Sequence, residues 1–208
     1  MRAKLILVRH GETLGESSVR YHGRGDISLS ALGRAQMRAA SRFLAHEEFV
    51  CVFSSPLRRA VESANLIAGP SASIIKLNEF AEIDFGLFEG LTAEEIRLRY
   101  PDHFVSWRER RFERDYAYPM GESRAAFVAR VARGVDRMLA AWRATSRSSA
   151  LSGSALLAAH RGVIRAVAQR LAGVEPLSEL GSIQILVYDG HWHAQRVDVL
   201  DHVKDIAS

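Results

Sequence analysis

Cysteine is nearly absent from the sequence, with one residue among 208. A lone cysteine excludes a disulfide within the chain, and Cys51 lies in the apolar run 50–53, where a buried and unreactive thiol is expected. Chains without disulfides are typical of reducing compartments. We therefore predict a cytoplasmic location.

Long hydrophobic runs are also missing. A membrane-spanning helix needs about 20 apolar residues in succession, and a signal peptide needs an apolar core of roughly 7–15 residues. The first apolar stretch covers only residues 5–8 and is followed by Arg9 and His10. The sequence therefore predicts neither secretion nor a membrane partner.

Neither sign of charge dominates. The 28 basic and 24 acidic residues leave a formal net charge of +4, which favours anionic partners but selects none. Only the basic charge favours a nucleic-acid partner. The sequence has no motif that interleaves aromatic and basic residues, as nucleic-acid-binding proteins often do. We predict no nucleic-acid partner.

The composition is that of a folded domain. Hydrophobic residues make up 48% of the chain, and 208 residues are enough for one substantial core. The sequence shows no internal repeat, low-complexity tract or linker. We therefore expect a single domain over residues 1–208.

Apolar strands alternate with helical segments along the chain. Short branched runs predict strands at 4–8, 50–53, 73–77 and 155–159. Caps and apolar periodicity predict helices at 30–46, 56–68, 92–100, 101–111, 123–145 and 163–171. The runs 183–188 and 193–199 resemble a hairpin that turns at Asp189 and Gly190. This order predicts a three-layer α/β/α fold, with helices on both faces of a mainly parallel sheet and an antiparallel edge strand.

Two segments interrupt this alternation. Residues 82–121 are interpreted as an insertion over the sheet edge that forms a lid or a substrate wall. The serine-rich segment 145–154 is interpreted as a surface loop.

Two of the predicted strands end in histidine. His10 follows the first strand and precedes Gly11, and His160 follows the strand 155–159. Taken alone, each histidine would be structural more often than functional. Because ligands of open α/β sheets bind beyond the carboxyl ends of the strands, the two histidines are expected to converge there.

Arginines accompany both histidines and the second strand. Arg9 precedes His10, Arg161 follows His160, and Arg59 lies just after the strand 50–53. Guanidinium groups bind phosphoryl oxygens, and a neutral imidazole can hold a phosphoryl group covalently on its nitrogen. The set predicts phosphoryl transfer.

The same residues occur in an ordered series of motifs that resembles the histidine phosphatase superfamily, also called phosphoglycerate mutase-like. The series begins with the residues Arg9-His10-Gly11-Glu12-Thr13 and continues through Gly23, Asp26, Leu29, Ser30, Gly33 and Gln36. It continues with the block 54–60, with Glu82, Phe85-Gly86, Glu89-Gly90 and Gly121-Glu122-Ser123, and with the block 160–165. In size and pattern the chain is similar to the compact phosphatase branch that includes α-ribazole phosphatase.

The resemblance implies a role for each site residue. His10 would be the nucleophile that forms a phosphohistidine, and Glu82 would protonate the leaving alkoxide and then deprotonate the attacking water. The remaining residues of the implied site would bind the substrate: Arg9, Arg20, His22, Gly23, Arg59, His160 and Arg161. Of these, Arg9, Arg59 and His160 would clamp the phosphoryl oxygens, so neither a metal nor another cofactor is expected.

Four neighbouring residues leave alternatives open. Glu16 lies where many relatives have asparagine, and its carboxylate would repel a phosphate unless it points away or pairs with Arg20. Arg161 replaces a small residue and either contacts substrate or turns outward. Glu12 either stabilises its loop or contacts the site, and Arg58 is expected to face solvent.

Two further clusters have a plainer interpretation. His191-Trp192-His193 resembles a metal-binding pair, but no cysteine or carboxylate partner is evident, and an exposed strand edge is the expected reading. The basic run Arg108, Arg110, Arg111 and Arg114 either holds the distal end of an anionic substrate or forms a solvated helix face.

The expected function is hydrolysis of a small phosphorylated metabolite, with a homodimer as one possible assembly. The family also includes mutases, and phosphate release measured against isomerised product with 3-phosphoglycerate would separate the two. A catalytically silent phospholigand-binding domain is the alternative from another class. The resemblance is compatible with α-ribazole phosphate, sugar phosphates, phosphoglycerate derivatives and fructose 2,6-bisphosphate, and it selects none of them.

Overall fold

A computed structural model of the protein describes residues 2–145 and 150–206, and it is built around a six-stranded sheet. The strands are β1 (Ala3–Arg9), β2 (Phe49–Ser54), β3 (Ile74–Lys76), β4 (Gly153–Ala159), β5 (Ile183–Tyr188) and β6 (Trp192–Val199). Their order across the sheet is β3-β2-β4-β1-β5-β6. The first four pair in parallel, β5 is antiparallel to β1, and β6 is antiparallel to β5. The predicted mainly parallel sheet with an antiparallel hairpin at one edge is confirmed.

Within the described ranges, six α-helices accompany the sheet. They are α1 (Ala31–Phe43), α2 (Arg58–Ala68), α3 (Ala93–Arg99), α4 (Pro101–Arg110), α5 (Arg124–Ala144) and α6 (Arg161–Ala172). Ser30 and Ser123 cap α1 and α5 through their side chains, and Thr92 forms the expected capping box with Glu95 at the start of α3. Among the described residues, no helix has both the length and the hydropathy needed to cross a membrane.

The core lies in two layers because side chains of a strand alternate between the faces of the sheet. Leu5 and Leu7 of β1 pack with α5 and α6, whereas Ile6 and Val8 pack with α1 and α2. All four side chains are fully buried, which explains why this strand is apolar at successive positions. The three-layer α/β/α architecture follows from this packing.

Several boundaries differ from the predictions. Helix α2 begins at Arg58, because Pro56 and Leu57 belong to the turn that precedes it. Helix α6 begins at Arg161, two residues before the apolar pattern that predicted it. Strand β4 begins at Gly153, inside the predicted loop 145–154, and residues 146–149 of that loop lie outside the described part of the chain.

The insertion 82–121 contains α3, α4 and a short 3-10 helix (Gly86–Phe88). It joins the loop after β1 through Tyr21, whose ring meets Phe85 at 5.3 Å and Trp107 at 5.9 Å between centroids. The carboxylate of Glu89 accepts the backbone N–H groups of Gly23 and Arg24 at 3.0 and 2.9 Å. The insertion is therefore tied to the loop that follows β1, and its role as a lid stays a prediction.

The close approach of α1 to the loop after β1 gives a test of this packing. A Cβ atom on Gly33 would lie 1.9 Å from the carbonyl oxygen of Glu12. Glycine to alanine in a helix normally stabilises a protein by up to about 1 kcal/mol. For Gly33→Ala we expect the opposite sign, a loss of about 1–3 kcal/mol in the free energy of unfolding, because the overlap is with backbone. Urea unfolding measures this change, and a stabilised variant would contradict the described packing.

Candidate active site

The strand order brings the two histidines together. Arg9 of β1 is paired with Ala159 of β4, and the backbone N–H of His10 donates to the Ala159 carbonyl at 3.1 Å. His160 is the residue after Ala159, so both imidazoles leave the same edge of the sheet. Their ring centroids are 5.2 Å apart, and both side chains are buried. The predicted convergence of the two strand ends is therefore present.

The hydrogen bonds of His10 define its tautomer. Nδ1 lies 2.8 Å from the carbonyl oxygen of Gly11, which can only accept, so Nδ1 carries the hydrogen. Nε2 accepts a hydrogen bond from Nε of Arg59 at 3.2 Å. Burial, followed by the positive charges of Arg59 and Arg9, holds the pKa of His10 well below its usual value of 6.5. At neutral pH this imidazole is uncharged and has its lone pair on Nε2.

Arg59 is a fully buried cation in the first turn of α2. Its Nη1 donates to the carbonyl of Gly25 at 2.6 Å, and its Nη2 donates to the carbonyls of His22 and Gly23 at 2.9 and 2.8 Å. Burial lowers the pKa of Arg59, and the carboxylates of Glu82, Glu89 and Asp26 oppose that shift. Arg59 therefore holds the loop 22–25 in place and also contacts Nε2 of His10.

Arg9 lies partly buried beside His10. Its Nη1 donates to the Ser178 carbonyl at 2.8 Å, and its buried Nε has no hydrogen-bond partner among the described residues. Burial lowers the pKa of Arg9 to about 10, so the guanidinium remains charged at neutral pH. An unsatisfied charged donor in this position is suited to an anionic ligand.

His160 is held by a serine that the sequence did not single out. Its Nε2 lies 2.7 Å from Oγ of Ser55, and that Oγ also accepts the backbone N–H of Leu57 at 3.2 Å. Where the Ser55 hydroxyl donates to Nε2, the imidazole hydrogen lies on Nδ1. Nδ1 is buried and has no partner in the described part of the chain. Burial and the charge of Arg59 hold the pKa of His160 well below 6.5, so the imidazole is uncharged at neutral pH.

Glu82 is positioned by the start of α6. Its side chain is 7% exposed, and its oxygens accept the N–H groups of Ile83 and Gly162, each at 3.0 Å. The positive end of the helix dipole favours a carboxylate at that point. Glycine at position 162 lets its N–H approach the carboxylate without displacing it, because a Cβ atom would lie 2.6 Å from Glu82 Oε1. The signal for this contact was the glycine two residues after His160.

One cavity of about 1620 Å³ exposes most of the predicted site. Six of the predicted residues line it, and they are Arg9, His10, Arg20, His22, Glu82 and Arg161. Arg59 and His160 contribute from behind the wall, through the contacts to His10. The structure therefore brings the five residues with predicted catalytic roles together, three on the cavity wall and two behind it, and their roles in catalysis stay predictions.

Three of the residues predicted to bind substrate are engaged within the protein. Arg20 pairs with Glu16 at 3.2 Å and with Glu95 at 2.5 Å. The ring of His22 contacts the Gly15 carbonyl, and the N–H of Gly23 is taken by a carboxylate of the insertion. Pairing with Arg20 explains how a glutamate is tolerated at position 16. Substrate contacts by these three residues stay predictions.

The structure also shows the orientations of Glu12, Arg58 and Arg161. Glu12 accepts the backbone N–H groups of Thr13 and Ser18 at 2.8 and 3.2 Å, which stabilises its loop. Arg58 is 61% exposed, as expected. Arg161 is exposed and donates through Nε to the Leu177 carbonyl at 3.0 Å, yet it lines the cavity, so it combines both expected orientations.

The interpretation of the 191–193 motif needs a correction. Nδ1 of His191 and Nδ1 of His193 lie 3.8 and 3.6 Å from a carboxylate oxygen of Asp189, so a carboxylate partner does exist. It was missed because the hairpin turn folds Asp189 back over the start of β6. Tyr188 pairs with Ala3, at the start of β1, whereas His10 follows the end of that strand. The cluster therefore lies apart from the cavity.

Comparison with known proteins adds three findings. A model described as histidine phosphatase superfamily (branch 1) matches residues 5–197. Phosphoserine phosphatase 1 of Hydrogenobacter thermophilus is 36% identical over 129 residues, 62% of this chain and 60% of that protein. Glucosyl-3-phosphoglycerate phosphatase of Mycobacterium tuberculosis is 30% identical over 199 residues, 92% of this chain and 88% of that protein.

A solved structure and a group of longer relatives complete the comparison. The α-ribazole phosphatase from Shigella flexneri has a TM-score of 0.79 over 94% of this chain and 96% of that chain, and its 23% identity supports the fold alone. The chain spans 37% of the length of three mycobacterial relatives, among them the Bifunctional protein Rv2228c of Mycobacterium tuberculosis, at 36% identity over 138 residues, 65% of this chain. An overlap of that extent transfers neither an activity nor a substrate.

The buried neutral histidines predict a pH dependence of stability. In the unfolded chain a histidine takes up a proton below about pH 6.5, whereas folded His10 and His160 stay neutral there. The free energy of unfolding should therefore fall as the pH drops below about 6.5, by at most about 1.4 kcal/mol per pH unit for each histidine. In His160→Asn the fall between pH 6.5 and 5 should be smaller, as measured by urea unfolding at several pH values.

The control for this experiment is His103→Asn, which changes an exposed histidine of α4 and should keep the wild-type slope. Equal slopes for the wild type and His160→Asn would contradict the depressed pKa of His160.

Proposed function

Because the chain belongs to the histidine phosphatase superfamily, we propose that it hydrolyses phosphomonoesters of small metabolites through a phosphohistidine on His10. The observation that carries this proposal is the buried, neutral imidazole whose Nε2 lone pair faces the cation of Arg59 at 3.2 Å. A neutral nitrogen nucleophile beside fixed positive charge suits attack on an anionic phosphoryl group.

The first step would transfer the phosphoryl group to the protein. A bond forms between His10 Nε2 and phosphorus while the bond from phosphorus to the ester oxygen breaks. The leaving alkoxide takes a proton from the acid form of Glu82, which lines the same cavity. The Nδ1 hydrogen bond to Gly11 holds the ring in the tautomer that this attack requires.

The second step would release phosphate. The carboxylate of Glu82 takes a proton from a water molecule, whose oxygen bonds to phosphorus as the bond from nitrogen to phosphorus breaks. The electron pair of that bond returns to Nε2, so His10 is restored in its starting form. One ester and one water yield one alcohol and one inorganic phosphate.

Three side chains would stabilise the charge that develops on the phosphoryl oxygens. Arg9 has an unsatisfied buried Nε, His160 has an unsatisfied buried Nδ1, and Arg59 lies within hydrogen-bond distance of the nucleophile. Fixed donors in a partly dry site stabilise a transition state more strongly than water does. The two guanidinium groups supply the positive charge that Mg²⁺ supplies in other phosphoryl-transfer enzymes, so a reaction without metal or cofactor is part of the proposal.

The substrate class is a small phosphorylated metabolite. This agrees with the names of two relatives, which are phosphatases of phosphoserine and of glucosyl-3-phosphoglycerate. The cytoplasmic setting rests on the single buried Cys51, whose thiol has a pKa raised by burial. The setting and a homodimeric state stay predictions.

The first test replaces the nucleophile. His10→Ala should lower the rate of para-nitrophenyl phosphate hydrolysis by at least about 1000-fold, because the substitution removes the nitrogen that is proposed to receive the phosphoryl group. Phosphate release measures the rate, and circular dichroism verifies that the variant is folded. Unchanged turnover in the folded variant would reject His10 as the nucleophile.

The second test separates the acid from the other site residues. Glu82→Gln keeps the shape of the side chain but cannot donate a proton to the leaving group. We expect a loss of about 100-fold or more with alkyl phosphates, and a smaller loss with para-nitrophenyl phosphate, whose phenolate leaves with little protonation. The measurement is kcat/KM for both substrates, and equal losses would argue against Glu82 as the acid.

A further inference from the structure

The hairpin between β5 and β6 brings three potential metal ligands together, away from the cavity. They are Asp189 and His191 in the turn and His193 in β6, and we call them the hairpin ligand group. One ring nitrogen of each histidine and one carboxylate oxygen of Asp189 all lie within 4.8 Å of one another. Nδ1 of both histidines approaches the same oxygen, Oδ1 of Asp189, at 3.8 and 3.6 Å.

The register of the hairpin places the three side chains on one face of the sheet. Val187 pairs with His193, and the N–H of Asp189 donates to the His191 carbonyl at 3.4 Å. Side chains two positions apart in a strand point to the same face. Asp189 therefore follows Val187 onto the face that packs with α1 and α2, and His191 lies on the same face as His193.

Trp192 fixes the orientation of the two histidines. Its ring packs on the opposite face, with its centroid 5.4 Å from that of Tyr188 and 6.2 Å from that of Trp142 in α5. The imidazoles of His191 and His193 point away from it, and their centroids are 5.5 Å apart. Because the tryptophan holds the strand in place, both rings are oriented before any ligand binds.

His193 carries an unsatisfied nitrogen within this group. Its Nδ1 is buried and has no hydrogen-bond partner in residues 2–145 and 150–206. Buried polar atoms nearly always have a partner, so this nitrogen points to a ligand. The side chains of His191 and Asp189 are 81% and 50% exposed, so they can turn towards an ion without disturbing the core.

The donor atoms determine which ions fit. Imidazole nitrogen suits Zn²⁺ and neighbouring transition metals, whereas Mg²⁺ and Ca²⁺ prefer sites built from oxygen. Zinc binds nitrogen and oxygen at about 2.0–2.2 Å, which puts two ligands of a tetrahedral ion about 3.3–3.6 Å apart. The separations of 3.6 and 3.8 Å between Asp189 and the histidines are close to that spacing.

We propose that the hairpin ligand group binds one divalent transition-metal ion of the zinc class. The two imidazoles and the carboxylate supply three ligands, and water supplies the fourth. Such an ion joins the last residue before the turn to the start of the edge strand β6, so it holds the end of the hairpin closed. The proposal is independent of the hydrolase, and the ion takes no part in that reaction.

Calorimetry of protein freed of metal with EDTA tests the site. We expect Zn²⁺ to bind with a Kd on the order of 1–10 μM, and at least about 100-fold more tightly than Mg²⁺. His191→Ala and Asp189→Asn should each weaken Zn²⁺ binding by at least about tenfold, since the loss of a mere outer-shell partner costs roughly 10–100-fold. Asp189→Asn keeps the turn intact, because asparagine before glycine suits a hairpin as well as aspartate does.

Two further variants serve as controls. His46→Ala removes an exposed histidine that precedes Glu47 and Glu48, and it should keep the wild-type affinity. His10→Ala should keep this affinity too, which separates the hairpin from the active-site histidines. Mg²⁺ binding as tight as Zn²⁺ binding, or a Zn²⁺ affinity that His191→Ala and Asp189→Asn leave unchanged, would overturn the site.

Amide hydrogen exchange tests the effect of the ion on the hairpin. An ion that binds only the closed form should slow exchange at residues 189–193 by up to about 100-fold when Zn²⁺ is present at 100 times its Kd. In Asp189→Asn the same Zn²⁺ concentration should slow exchange by at least about tenfold less. Exchange in the wild type that Zn²⁺ leaves unchanged would contradict closure of the hairpin by the ion.

Discussion

The contact between Arg59 and His10 is the constraint on which the rest of the site depends. A fully buried guanidinium has to satisfy its donors, and Arg59 does so with the carbonyls of the loop 22–25 and with Nε2 of His10. That loop is fixed in turn by Glu89 of the insertion, through the N–H groups of Gly23 and Arg24. The insertion is therefore linked to the nucleophile through the loop 22–25. The backbone N–H groups of this loop bind Glu89, and its carbonyl groups bind Arg59.

The order of the strands explains why two distant segments form one site. Strands β1 and β4 are adjacent and parallel, so His10 and His160 leave the sheet at one edge. Glu82 is then held against the same edge by the N-terminus of α6, the helix that His160 precedes. The dipole of that helix stabilises a carboxylate beside two neutral imidazoles, where an isolated acid would be costly to bury.

Much of this arrangement was predictable from local patterns. The pattern of two buried strands that end in histidine predicted where the two imidazoles lie. Ser30, Thr92 and Ser123 predicted the starts of three helices. The individual hydrogen bonds between residues far apart in sequence were not predictable, because no local pattern encodes them. Ser55 and His160 are 105 positions apart, and Arg9 and the Ser178 carbonyl are 169 apart. The pairing of Arg20 with Glu16 was among the predicted alternatives, whereas its contact with Glu95 and the approach of Asp189 to His191 depend on how loops fold back.

The resting state of the nucleophile has a consequence for the proposed reaction. The lone pair of His10 Nε2 that would attack phosphorus accepts the Nε hydrogen of Arg59 in this structure. Before attack, the Nε–H group of Arg59 has to change its acceptor from the imidazole nitrogen to a phosphoryl oxygen. This change is favourable because a charge-assisted hydrogen bond to an anionic oxygen is stronger than one to a neutral nitrogen. A neutral molecule offers no such gain. Burial and the positive charges of Arg59 and Arg9 keep His10 unprotonated, and a phosphoryl dianion would engage those same charges as it uncovers the lone pair.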